Sequence, residues 1–147
     1  MSSVKNELWK QSGGSGKQLI RRKLDNGMFY YVLSDESGTR SFLDDWLNDP
    51  RSKEKARRLI ATVVKITTNG LKWATETKRV RRISPDLYEI KNFSGAARVM
   101  AHIRVTGAIV MLRPFQGHSG TGSIPTATIA SAVRQQRLVV ELLEEDD

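Results

Sequence analysis

The sequence predicts an α+β domain in which a small antiparallel sheet, ordered strand-helix-helix-strand-strand-strand-helix, carries a helical hairpin packed on one side. Three observations predict it. An aromatic and β-branched run spans Met28 to Leu33, and apolar residues recur at helical spacing from Ala56 to Val64. From Ala97 to Val105, Val99, Ala101, Ile103 and Val105 alternate with Arg98, Met100, His102 and Arg104. The chain has 147 residues, a length that suits one domain with one buried core.

The elements follow in order. Residues 1–27 are polar and place Ser12-Gly13-Gly14-Ser15-Gly16 ahead of the basic trio Arg21-Arg22-Lys23, so they read as a flexible basic N-terminal arm. Gly16-Lys17 does not complete a phosphate-binding loop. Gln11 stands where that motif has glycine, Gln18 stands where it needs serine or threonine, and no apolar strand precedes it. The run from Met28 to Leu33 is the first strand, ended by the turn formers Ser34-Asp35-Glu36-Ser37-Gly38. Thr39 or Ser41 caps a helix with Phe42, Leu43, Trp46 and Leu47 on its inner face. Asp49-Pro50 interrupts it, and Pro50 suits the first position of the next helix. That second helix repeats Ala56, Leu59, Ile60, Val63 and Val64 at core spacing, with Arg51, Lys53, Lys55, Arg57, Arg58 and Lys65 around the remainder, and Asn69-Gly70 stops it.

A loop carrying Lys72, Lys78, Arg79, Arg81 and Arg82 comes next. Three strands follow: Leu87 to Lys91, Ala97 to Val105, and Ala108 to Phe115, the last two joined by a tight turn at Thr106-Gly107. Alternation sets Arg98, His102 and Arg104 opposite the Val/Ile set. After a Gly/Ser/Thr-rich loop from Gln116 to Ser123, Pro125 opens a final helix that turns Ile129, Ala132, Val133, Val140 and Leu143 to the body. The helices are expected on one side of the sheet.

Composition narrows the function. The absence of cysteine excludes disulfide scaffolds and cysteine zinc sites, and two histidines among scattered carboxylates argue against a histidine-rich metal centre. The N-terminus has no apolar run long enough for a signal peptide and no 18 apolar residues run together, so a soluble cytoplasmic protein is expected. The net charge of +8 is concentrated: Arg51 to Arg82 holds 11 basic and 2 acidic residues, leaving the remainder at −1. Such a block suits nucleic acid, a membrane surface or an acidic protein, with a solvated helix face as the alternative. Glu141, Glu144, Glu145, Asp146 and Asp147 form an acidic tail that either shields this block or is simply solvated.

Five segments in this order carry a family resemblance. They are Ser41-Phe42-Leu43-Asp44-Asp45-Trp46-Leu47, Asp86-Leu87-Tyr88-Glu89-Ile90-Lys91, Ala97-Arg98-Val99-Met100, Ile109-Val110-Met111-Leu112-Arg113-Pro114-Phe115, and Ile124-Pro125 with Ile129-Ala130-Ser131-Ala132. Together they resemble the RelE/ParE toxin superfamily, most closely its HigB-like, phage-derived branch, over roughly residues 28–140. The resemblance implies a toxin domain over 28–147, the toxin of a type II toxin–antitoxin pair. It implies a metal-independent endoribonuclease, an mRNA interferase that inhibits translation by cutting mRNA on the ribosome without a cofactor. A small cognate antitoxin protein is the implied partner, and no membrane is.

Such cleavage uses the 2′-hydroxyl to attack the adjacent phosphorus and expels the 5′-oxygen. It needs a proton acceptor, cations around the phosphorane, and a proton for the leaving oxygen. Arg98 stands where the family's strand arginine stands, and its planar fork suits the middle task; the alternative is a strand arginine paired with Glu89. Lys91 sits where relatives carry arginine and is expected to touch phosphate. Arg113, on the neighbouring strand, assists or is structural. HigB-like relatives carry a lysine pair after this strand, whereas here Gln116 to Ser123 has none, and His118 is the only titratable residue of that loop able to act as acid or base near neutrality. His102, mid-strand on the face of Arg98, reads as structural. Lys72, Lys78, Arg79, Arg81 and Arg82 supply salt-sensitive RNA-backbone contacts, and Trp73 either stacks on a base or closes the core edge.

Two other readings compete. The absent loop lysines favour a non-catalytic member of the fold that binds nucleic acid or inhibits DNA gyrase as ParE does. The third is a nucleic-acid-binding protein with no toxin role.

Overall fold

A computed structural model describes residues 5–11, 16–24, 26–104, 108–116 and 124–144. The chain is α+β, in the order β1 (Lys5–Gln11), β2 (Gln18–Lys23), β3 (Phe29–Leu33), α1 (Phe42–Asn48), α2 (Lys53–Asn69), α3 (Leu71–Glu76), β4 (Val80–Ser84), β5 (Leu87–Ile90), β6 (Ala97–Ile103), β7 (Ile109–Gln116) and α4 (Thr126–Glu144). The strands form one sheet in the order β1-β2-β3-β7-β6-β5-β4. β3 runs parallel to β7, pairing Tyr31 with Val110, and the other neighbours are antiparallel. The expected hairpin turn at Thr106-Gly107 lies outside the described residues, but β6 and β7 pair as a hairpin up to Ile103 opposite Ile109.

Alternation divides the sheet into two apolar faces. One packs Tyr30, Val32, Val99, Ala101 and Ile109 under Leu43 of α1, Leu59, Ile60, Val63 and Ile66 of α2, and Ala74 of α3. The other packs Leu19, Leu33, Leu87, Met100 and Val110 under Ala132, Val139 and Leu142 of α4. Each fully buried Leu, Ile or Val contributes roughly 1.5–3 kcal/mol, so both layers are needed. The helices are therefore not on one side: α4 covers the face opposite the hairpin. Its buried stripe is Ala132, Val139 and Leu142, while Val140 is only half-buried. Among the described residues no helix is long and apolar enough to cross a membrane.

Three further expectations are corrected. Residues 18–23 are no flexible arm but a strand between β1 and β3, with Leu19, Ile20 and Leu24 buried. The basic trio obscured this because two of its charges are taken up by the fold while Lys23 stays exposed. The Arg21 guanidinium lies 4.5 Å from the centroid of the Phe29 ring, and Arg22, 2% exposed, bonds to the Asp44 carboxylate of α1. Burial alone would raise the Asp44 pKa, but the Ser41 N–H and the Arg22 guanidinium lower it overall. Beside them burial pushes the Tyr30 hydroxyl up to about 12, against the opposing charge of Arg22. The loop expected after Gly70 is α3 followed by edge strand β4. Gly70, with φ +93, supplies the glycine-favoured turn that ends α2 and starts α3. Finally, Pro50 precedes α2 in a turn rather than opening it, and of the two expected caps Ser41 is the one used: its N–H and hydroxyl both donate to the Asp44 carboxylate, at 2.9 and 3.2 Å.

Candidate functional site

The face under α4 collects the ionic side chains of the central strands. Period-two alternation and register place Arg81 of β4 opposite Glu89 of β5, Glu89 opposite Met100 of β6, and Met100 opposite Arg113 of β7. Arg98 lies two residues along β6, diagonal to Glu89. The Glu89 side chain is 5% exposed; its Oε1 is 3.2 Å from Arg81 Nε and its Oε2 is 3.9 Å from Arg98 Nε. Arg98 Nη1 donates to the Gly95 and Ala97 carbonyls at 3.0 and 2.9 Å. A buried carboxylate therefore sits between two guanidiniums, and the pairing of Arg98 with Glu89 is the arrangement adopted.

Arg113 borders a cleft of about 280 Å3 shared with Lys17, Ser131, Arg134, Gln135 and Leu138. Lys91 follows Ile90, the partner of Val99, and its backbone N–H donates to the Arg79 carbonyl at 2.8 Å. His118 lies outside the described residues. His102 is buried, and its Nδ1 is 3.0 Å from Gln136 Nε2, which also donates to the Pro85 carbonyl at 3.0 Å. Because that carbonyl can only accept, the Gln136 amide must present its NH2 here, so Nδ1 accepts and Nε2 carries the proton. This histidine links α4 to the sheet. Burial above all, and then the charge of Arg104, hold its pKa below the usual value, with Asp86 acting against them.

The residues expected to contact RNA divide between the two faces. Lys72, Lys78 and Arg82 are exposed, as are Arg51, Lys53, Arg58 and Lys65 of the preceding turn and α2. Arg79 is half-buried, its guanidinium 4.6 Å from the Trp73 centroid, and Trp73 packs on the core, so this aromatic closes the core edge. Lys55 covers Trp46 in the same way at 4.1 Å. Arg81 points to the α4 face and Glu89. The sheet thus separates a broad basic surface on the hairpin side from the ionic row under α4, and Arg81 alone of the five expected contacts joins that row.

Sequence reasoning did not assign Glu89, Lys17, Arg134 or Gln135 to the site. Glu89 carries a signal, since it shares the period of Leu87 and lies one strand from Arg98. The others meet Arg113 only through tertiary packing. Among the described residues no three His, Asp or Glu side chains are grouped to hold a metal ion. No family model matches the chain, and neither a curated protein nor a solved structure matches it.

Proposed function

We propose that this protein is a RelE/ParE-type toxin, a metal-independent endoribonuclease acting on ribosome-bound mRNA and restrained by a cognate antitoxin protein. The observation that carries the reading is the Glu89 carboxylate held between Arg81 and Arg98, in the cross-strand row that ends at Arg113. A carboxylate beside guanidiniums is what transphosphorylation asks for. Glu89 takes the 2′ proton once a phosphate draws Arg98 away from the long 3.9 Å contact, and Arg98 and Arg113 hold the charge gathering on the phosphorane. His118 is the proton donor assigned to the leaving 5′-oxygen, and Lys91 a secondary phosphate contact. The exposed cations of the hairpin side hold the RNA backbone of the ribosome.

The test is primer extension on an mRNA in a translating extract, with ribosome co-sedimentation alongside. Cleavage by the intact protein is expected, and Glu89→Gln and Arg98→Ala should each reduce it by about a hundredfold or more while ribosome binding persists. Uncut mRNA with the intact protein bound to ribosomes would overturn the nuclease. One observation favours the second reading, a non-catalytic binder or gyrase inhibitor: Arg98 is already occupied by Glu89 and two backbone carbonyls. Growth arrest with uncut mRNA and inhibited supercoiling in a purified gyrase assay would establish that alternative.

A further inference from the structure

The cleft beside Arg113 has a composition that its own residues do not balance. Lys17, Arg113 and Arg134 line it, Ser131, Gln135 and Leu138 complete it, and no carboxylate is among the described lining. Lys17 has a distant partner in Glu36, 3.8 Å away on an exposed side chain, and Arg134 Nη2 donates to Ser131 Oγ at 3.1 Å, which fixes it at the rim. Two lining atoms are buried without a hydrogen-bond partner among the described residues: Arg113 Nε, a donor, and Gln135 Oε1, an acceptor. Leaving a buried donor or acceptor unpaired is unfavourable, and here one of each kind belongs to the same cleft.

These requirements select a ligand. A phosphodiester without a 2′-hydroxyl answers the cations and the donor but, carrying no O–H, leaves the glutamine oxygen unsatisfied. A trapped water answers donor and acceptor but brings no anion to Arg113 and Arg134, whose described cleft lining holds no carboxylate. A ribonucleotide unit supplies both, anionic oxygens for the guanidiniums and a 2′-hydroxyl that donates to a carbonyl. At about 280 Å3 the cleft is at the low end of ligand sites, the scale of a sugar-phosphate unit.

We infer that this cleft is a subsite for one ribonucleotide of a single RNA strand, with the phosphate on Arg113 and Arg134 and the 2′-hydroxyl on Gln135 Oε1. Gln135 is then the residue that tells RNA from DNA. The inference rests on the proposed reading of the α4 face as an RNA site, and it adds a subsite outside the Glu89–Arg98 pair.

The test measures binding of the full chain to a short fluorescein-labelled single-stranded RNA, and to the DNA of the same sequence, by fluorescence anisotropy at fixed salt. Arg134→Gln should weaken both by about tenfold, the worth of one charge-assisted hydrogen bond. Gln135→Leu should weaken RNA by several-fold and leave DNA unchanged. Inorganic phosphate at equal ionic strength should displace RNA from the intact protein more readily than chloride does, and lose that advantage in Arg134→Gln. RNA affinity equal to that of the intact protein in both variants overturns the subsite, as does an equal loss for RNA and DNA in Gln135→Leu, or no RNA binding at all. Circular dichroism confirms that the variants fold. These outcomes are separate from the cleavage assay: unchanged binding with normal cleavage removes the subsite alone, whereas normal subsite binding with uncut mRNA removes the nuclease alone.

Discussion

A neutral imidazole suits position 102 because its Nδ1 lone pair accepts the Gln136 amide, and protonation would set two N–H donors against each other. The groups around it pull unequally: burial is the largest influence, against the cation, Arg104 also disfavours it and Asp86 favours it, while Arg137 and Glu141 line the same cleft. The sign follows. A histidine whose folded pKa lies below its unfolded value of about 6.5 contributes stability that is present above that pH and lost as pH falls through the folded value, because the unfolded chain binds the proton first. Urea denaturation from pH 8 to pH 5 should therefore show stability falling below about pH 6.5, and His102→Gln should flatten that decline. An unchanged slope in the variant would remove His102 as the cause. At this scale much was legible. Alternation alone put His102 and Arg98 on one face, and the register of β5 against β6 adds Glu89 to it. The row from Arg81 to Arg113 was not, because a register shift between Met100 and Ala101 decides which β7 residue stands opposite Met100.

Among the elements, α2 was readable because its apolar spacing has one solution: Ala56, Leu59, Ile60 and Val63 are all buried. β2 carries the same kind of information, Leu19 facing α4 and Ile20 facing the hairpin, but three consecutive cations beside it look like solvated chain unless their partners are known. Arg22 needs Asp44, twenty-two residues away, before its burial is intelligible. α3 and β4 were hidden for the same reason, since Lys72, Arg79, Arg81 and Arg82 dominate the segment while Ala74 and Val80 do the packing. The arm and the strand differ measurably. Leu19 is fully buried, so Leu19→Ala should cost about 2–5 kcal/mol. A residue in a solvated arm would cost nothing. The measure is the urea midpoint at constant slope; a midpoint within error of the parent would restore the arm.

For the whole molecule, the concentration of charge was evident in the sequence, and the place of Arg81 was not. The block from Arg51 to Arg82 was expected as a helix face and a loop leading into the sheet, apart from the residues of the chemistry. Lys72, Lys78 and Arg82 are indeed exposed, whereas Arg81 pairs with Glu89 on the α4 face. Attraction and chemistry are then separable by salt. Each phosphate contact made by an exposed cation adds roughly 0.7 to the slope of log affinity against log salt for a single strand. Replacing Lys72, Lys78 and Arg82 together by glutamine should lower that slope by about 2, weakening RNA of every sequence alike. Arg98→Ala removes a guanidinium already engaged by Glu89 and two carbonyls, so it should lower the slope by much less while abolishing cleavage. Anisotropy titrations over a series of potassium chloride concentrations read both. If the triple variant keeps the parental slope, RNA does not lie on the hairpin side. The ionic row under α4, with the cleft beside Arg113, would then have to account for the whole of the electrostatic attraction.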